Sequence, residues 1–194
     1  MKRQLKKIVC LTLITSMILG QKTLNTTKNV TAKEKKDIKI AIDAGHQARG
    51  NFATEPVGPG SGTRKAKVAG GATGVASHVP EYKLTLAVSK KLQKELKARG
   101  YKVYMIRTKN NVNISNKKRA QLANKSGADI YIRIHADSSN SRAVTGASGL
   151  YPSKANKYVS KLSTKSKKLS SCLLKSYCKK TKIRNRGLVA RDDL

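Results

Sequence analysis

Three side chains of this sequence are of types that together bind a divalent metal: His46, Glu81 and His135. Two imidazoles and one carboxylate suit zinc. Three protein ligands leave a fourth position for water, whose pKa the ion lowers to about 7, so the set has the chemistry of a hydrolytic centre. The spacing is no local metal motif, because the three lie 35 and 54 positions apart. Each therefore also has an ordinary structural reading. Glu81 suits the first turn of a helix, where the dipole favours an acid, and the two histidines suit polar caps on strand ends.

The elements that must position these residues follow from the hydrophobic pattern. Ile38, Ile40 and Ile42 alternate with Lys39 and Ala41, which predicts a strand running into a turn at Asp43. From Ala44 to Val79 the chain holds eight of its fourteen glycines, with Pro56 and Pro59 and no sustained period, and reads as one long functional loop. Pro80 opens a helix whose apolar face is Leu84, Val88, Leu92 and Leu96, closed by Gly100. Tyr101 to Ile106 is apolar on both faces and predicts a strand interior to a sheet. A second helix spans Ser115–Lys125, capped by Ser115 and ended by Gly127, with Ile114, Lys118 and Leu122 near one face. Ile130, Ile132 and Ile134 form a third strand that delivers His135 at its carboxyl end. A third helix is predicted from about Ser153 to Lys180, its inward stripe Ala155, Val159, Leu162, Leu169, Leu173 and Tyr177.

Strand, helix, strand, helix, strand is the order of an α/β domain. Right-handed crossovers make the central sheet mostly parallel and cover it with helices. Ligands of such sheets gather at the carboxyl ends of the strands, where His46 and His135 fall, so the zinc site is expected there.

Composition sets the compartment. Lys2, Arg3, Lys6 and Lys7 precede an apolar run from Ile8 to Leu19, the pattern of a signal peptide over residues 1–20, with retention as an N-terminal anchor left open. Residues 21–37 are polar and aperiodic and read as a linker, which leaves 38–194 as one domain. The expected location is secreted or in the cell wall. Cys10 lies in the export signal, while Cys172 and Cys178 on one helix would stand roughly 9 Å apart, too far for a disulfide. The formal net charge is +32, and no acid occurs between Asp137 and Asp192. A polyanionic partner follows. An exported chain with little aromatic content and no nucleic-acid motif points to an anionic wall polymer rather than nucleic acid, although a lysine-rich solvated surface explains the same charge.

The segments IAIDAGHQ (40–47), EYKLTLAVSKKLQKELKARGYKVYMIRT (81–108), RAQLANKSGADIYIRIHAD (119–137) and RNRGLVARDDL (184–194) are collinear. Together they resemble the zinc-dependent N-acetylmuramoyl-L-alanine amidases of the amidase family 3 type. The resemblance implies that His46, Glu81 and His135 bind Zn2+ and that the substrate is peptidoglycan, cut between muramic acid and L-alanine. Asp43 then either orients a metal-bound imidazole or satisfies turn donors. Arg119 and Asn124 match positions read as structural. His78 matches none: its default is solvent, with pairing to Glu81 three residues on as a weaker alternative. The family pattern also implies a general-base glutamate on a strand beyond RNRGLVARDDL, past Leu194. The domain is therefore expected to lack its C-terminal end and that catalytic residue, with Glu55, expected to be exposed on its loop, as a weak substitute. A monomer is expected. The rival readings are an inactive wall-binding module and a basic polyanion-binding protein.

Overall fold

The structure, a computed structural model, describes residues 34–139, 141 and 143–193. The export signal, nearly all of the linker and Cys10 lie outside the described residues. In chain order the elements are β1 (Lys39–Ala44), β2 (Asn51–Pro56), β3 (Arg64–Val68), α1 (Glu81–Ala98), β4 (Lys102–Met105), α2 (Asn116–Lys125), β5 (Ile130–Ile134), β6 (Ala147–Pro152), α3 (Ser163–Thr181) and β7 (Asn185–Arg191).

The core is a three-stranded parallel sheet in the order β4-β1-β5, with Ile42 opposite both Met105 and Ile132. The mostly parallel α/β reading thus holds, but the doubly buried strand is β1, in which Ile40 to Ala44 are all buried. β4, expected inside the sheet, borders it. Its apolar residues are covered by helices instead: α1 packs on β1 and β4, and Ala123 of α2 joins Ala41 and Ile106 in a cluster ringed by Tyr104, Leu122 and Ala128.

Both helices start and stop where the sequence indicates. Ser115 Oγ accepts the Lys118 amide at 3.2 Å, the N-cap bond that satisfies an orphan donor. Gly100 and Gly127 end α1 and α2 with positive φ, +88° and +65°. Which face is buried differs from the expectation. Leu84 and Val88 are 45% and 41% exposed, while Glu81, Thr85, Leu86 and Ser89 are buried. The column 81-85-89 lies about 100° around the helix from 84-88, and it is the polar column that meets the end of β1. The apolar period found the helix and missed its orientation, because the helix turns polar groups inward, where Thr85 bonds Gly45 O. The buried positions of α2 are likewise Arg119 and Ala123, beside the expected face.

The interval 44–79 is not one structureless loop. β2 and β3 pair antiparallel within it, with Glu55 opposite Lys65 and a bulge between Asn51 and Thr54. The third helix also starts later than expected. Asn156 is buried, its Oδ1 taking the Tyr158 and Val159 amides and its Nδ2 donating to Asp192 O. Ser153 Oγ bonds Asp192 Oδ1 and takes the Ala155 amide. These side chains divert the backbone from helix until Ser160–Leu162 forms one 3-10 turn. Within α3 the buried residues are Ser163, Leu174 and Cys178, so Leu162, Leu173 and Tyr177 of the expected stripe are exposed. α3 packs on β6 and β7, which form a separate parallel pair. Cys172 is exposed, Cys178 is buried, and both are free thiols. No helix among the described residues is long and apolar enough to cross a membrane.

Candidate metal centre

β1 ends at Ala44, and Gly45 to Gln47 turn back across the carboxyl edge of the sheet. A Cβ on Gly45 would lie 2.6 Å from His135 Cε1 and from Ile134 O, so only glycine lets this turn pass the end of β5. The next residue, His46, has φ of 59°, a left-handed conformation that a non-glycine residue adopts at some cost and mostly at functional sites. Gly71, with φ of +84°, passes the other side of the same ring: a Cβ there would come within 2.9 Å of His46 Cγ.

Glu81 sits between the two histidines. Its Oε2 lies 3.2 Å from His46 Nε2 and its Oε1 lies 3.0 Å from His135 Nδ1. The imidazole planes stand 88° apart with centroids 4.7 Å apart. One nitrogen of each histidine and one carboxylate oxygen all lie within 4.8 Å of one another. Two of the three side chains are also held from behind. His46 Nδ1 is 2.9 Å from Ala69 O, which fixes Nε2 as the nitrogen facing Glu81. The Ala72 and Ala136 amides donate to Glu81 Oε2 and Oε1 at 3.0 and 2.8 Å.

The protonation states suit metal binding. Burial works against the Glu81 carboxylate, but the bonds from Ala72 and Ala136 and the two imidazoles outweigh it and put its pKa below the ordinary value. Burial, followed by the charge of Arg133, lowers the pKa of His135. At neutral pH the site offers a carboxylate and a free imidazole. Spacing, donor types and charge all fit a divalent metal such as zinc, with His135, whose side chain is 35% exposed, on the solvent side.

Asp43 touches neither imidazole. Its Oδ1 takes Arg119 Nη1 at 2.6 Å, while its Oδ2 takes Tyr131 Oη at 2.7 Å and faces Arg133 Nε at 3.4 Å. Its link to the site runs through Arg119, which is wholly buried and donates to Ala44 O and His46 O, at 2.9 Å each, and to Gln47 Oε1 at 3.3 Å. Asp43 therefore works by holding the arginine that clamps the His46 turn. Glu55 is buried rather than exposed, and lies in β2, where its Oε1 takes the Lys117 amide of α2 at 2.8 Å. That engagement with a helix N-terminus argues against the weak substitute role. His78 is exposed on its loop, also with positive φ.

Two positioning residues escape the sequence reading. Arg107 donates to Ala44 O, Gly45 O, Tyr82 O and Thr85 Oγ1, tying the turn after β1 to α1. Burial and the neighbouring charge of Arg119 lower its pKa to about 10, which leaves it charged at neutral pH. Thr85 donates to Gly45 O at 2.8 Å. The available signals were the place of Arg107 just past β4, at the same sheet edge as His46 and His135, and the place of Thr85 one turn beyond Glu81.

Solved structures share this fold. The amidase Ami1 of Mycobacterium smegmatis matches with a TM-score of 0.70 at 20% identity, over 83% of this chain and 76% of that one. An N-acetylmuramoyl-L-alanine amidase of Clostridium difficile 630 matches at 0.60 and 29%, over 80% and 70%. The catalytic domain of CwlV from Bacillus (Paenibacillus) polymyxa matches at 0.59 and 23%, over 80% and 70%. No curated protein matches closely enough to count as a relative. Residues 40–193 match the N-acetylmuramoyl-L-alanine amidase family as a whole, a span that runs from inside β1 through both histidines to the end of β7, and on that match the chain belongs to this family.

Proposed function

We propose that the chain is an exported, zinc-dependent amidase that cleaves the bond between N-acetylmuramic acid and L-alanine in peptidoglycan, with His46, Glu81 and His135 as the metal ligands. The observation that carries this reading is the convergence of those three, 35 and 54 positions apart in sequence, to within 4.8 Å. When bound, zinc supplies Lewis acidity toward an amide carbonyl and a water acidic enough to ionise near neutral pH.

The chain's own groups do the positioning. Ala72 and Ala136 hold the Glu81 carboxylate in place, Ala69 sets the His46 tautomer, and Arg107 and Arg119 fix the turn that carries His46. The release of an amine also needs a proton donor. Among the described residues no second carboxylate joins the three ligands, and Asp43 and Glu55 are engaged elsewhere. We assign neither as the general acid–base group. Cleavage by these residues alone is expected about 10²–10⁴-fold below that of a relative with such a group in place.

The basic surface suits retention on anionic wall polymer. The test is to load the purified chain with Zn2+, measure its metal content, and follow stem-peptide release from purified walls. One zinc per chain with chelator-sensitive release is expected, and His46→Ala should abolish both. Retention on walls with zinc bound and no release at any enzyme concentration would leave a wall-binding module.

A further inference from the structure

Beside the metal centre, the continuation of the His46 turn forms one wall of an open cleft of ≈ 510 Å³, within the size range of small-ligand sites. Gln47 and Gly50 belong to that continuation, Phe52 lies in the first strand of the hairpin that follows, and Asn111 to Asn113 close the opposite side. Phe52 is 74% exposed. An exposed aromatic ring lining a cleft offers a flat π-face on which a ligand can stack. Its underside is supported, since a Cβ on Gly50 would come within 3.1 Å of Phe52 Cζ. The other face of the ring is open.

The polar lining is uncharged except at one point. The Asn51 Nδ2 donates to Asn113 Oδ1 at 3.0 Å, which leaves the Asn113 amino group turned to other partners, and the exposed Asn111 side chain makes no hydrogen bond among the described residues. Buried Gln47 takes the Ile114 amide at 2.9 Å and donates to Arg49 O at 3.1 Å, so it braces both walls. Arg49 is exposed and has no carboxylate within ion-pair reach among the described residues.

A flat ring with a negative π-face, free amides and one unpaired guanidinium form the donor and acceptor set of a saccharide. The axial C–H groups of a pyranose lie on the ring face, while amides reach hydroxyl and acetamido oxygens. A peptide stem, by contrast, carries carboxylates, and the lining offers them a single cation. We infer that this cleft is a subsite for one N-acetylated hexosamine of the glycan strand, with Phe52 as the stacking platform and Asn111 and Asn113 as its hydrogen-bonding edge. The inference rests on the peptidoglycan reading above and names which part of that substrate lies on the His46 side.

The test uses saturation-transfer NMR on the whole chain with an N-acetylglucosamine tetramer as probe, and the sugar-free stem tetrapeptide as its counterpart. Zinc content is measured on the same samples. The tetramer should receive saturation at its acetyl and ring protons, and Phe52→Ala should weaken its binding about three- to ten-fold. Phe52→Tyr should keep it, since the residue is exposed and the ring is retained. Zinc content should be the same in all three proteins. Tetramer binding indifferent to Phe52→Ala, or a Phe52-dependent signal on the tetrapeptide alone, would overturn the subsite. Tetramer binding that needs Phe52 in a chain unable to take zinc would support the subsite and sink the metal reading, so the two fail separately.

Discussion

Glu81 is the residue on which the centre turns. It accepts two backbone amides and stands within 3.2 Å of both imidazoles, so without a metal its charge already orders the site. Its pKa and that of His135 are both lowered in the fold, and the signs can be followed. For His135 the unfolded chain binds more protons once pH falls below about 6.5, so metal-free stability declines from there toward the lowered folded pKa. The Glu81 contribution is present above its unfolded pKa and is lost as pH falls through the folded one. Thermal unfolding of the chelated protein should therefore lose stability in two stages as pH falls from neutral. His135→Asn should flatten the upper stage; an unchanged slope as pH falls below about 6.5 would show that His135 is not the group responsible. At Gly71 sterics take over: Gly71→Ala brings a methyl against His46 in a backbone conformation that disfavours it. Zinc affinity should fall while the far end of the sheet keeps its protection from hydrogen exchange.

Elements reach the site through buried polar anchors, and these set what the sequence could reveal. Strand and helix positions around His46, Glu81 and His135 were legible because alternation in Ile38–Ile42 and Ile130–Ile134 and the caps at Ser115, Gly100 and Gly127 are local signals. The rotation of α1 was not. Its inward column Glu81, Thr85, Ser89 is polar, and only the destination of those groups shows that it faces the turn after β1. The start of α3 was hidden for the same reason, since Asn156 is anchored by Asp192, 36 positions away. Glu55 is the clearest case. From sequence it is a loop acid just before Pro56; in the fold it crosses 62 positions to the first turn of α2. Glu55→Gln keeps an acceptor for Lys117 but removes the charge at the helix N-terminus, and should cost roughly 0.3–2 kcal/mol in chemical denaturation with zinc content unchanged. A catalytic Glu55 would instead lower kcat by about 10²–10⁴-fold at constant stability. The Arg119–Asp43 pair is fully buried, so Arg119→Met leaves Asp43 with Tyr131 and the more distant Arg133 alone and should cost up to about 3–5 kcal/mol, releasing the His46 turn with it.

At the scale of the whole molecule the dominant quantity is charge. Fourteen Lys and Arg and no acid lie between Asp137 and Asp192, and the fold sorts part of this excess onto one surface. Lys165, Lys168, Lys175 and Lys179 recur at intervals of three, four and seven, which on α3 is one stripe, with Lys161 in the turn before the helix and Lys182 just past its end. All six are exposed, whereas Leu174 and Cys178 on the other side of α3 are buried against β6 and β7. No ion pair offsets any of the six among the described residues. Such a stripe presents a row of compact cations at a pitch of about 5 Å per turn, which suits a flexible polymer carrying repeated negative charges better than a single anion. Its attraction reaches about 10 Å at 0.1 M salt and about 3 Å at 1 M, so retention on purified walls should fall steeply over that range. Replacing Lys165, Lys168, Lys175 and Lys179 together by Gln preserves helix propensity and should reduce both retention and its salt dependence, without altering zinc content. Walls stripped of anionic polymer should hold the wild type no better than the variant. If the variant binds intact walls as tightly as the wild type, the stripe is merely a solvated surface and retention belongs to the cleft that contains Phe52.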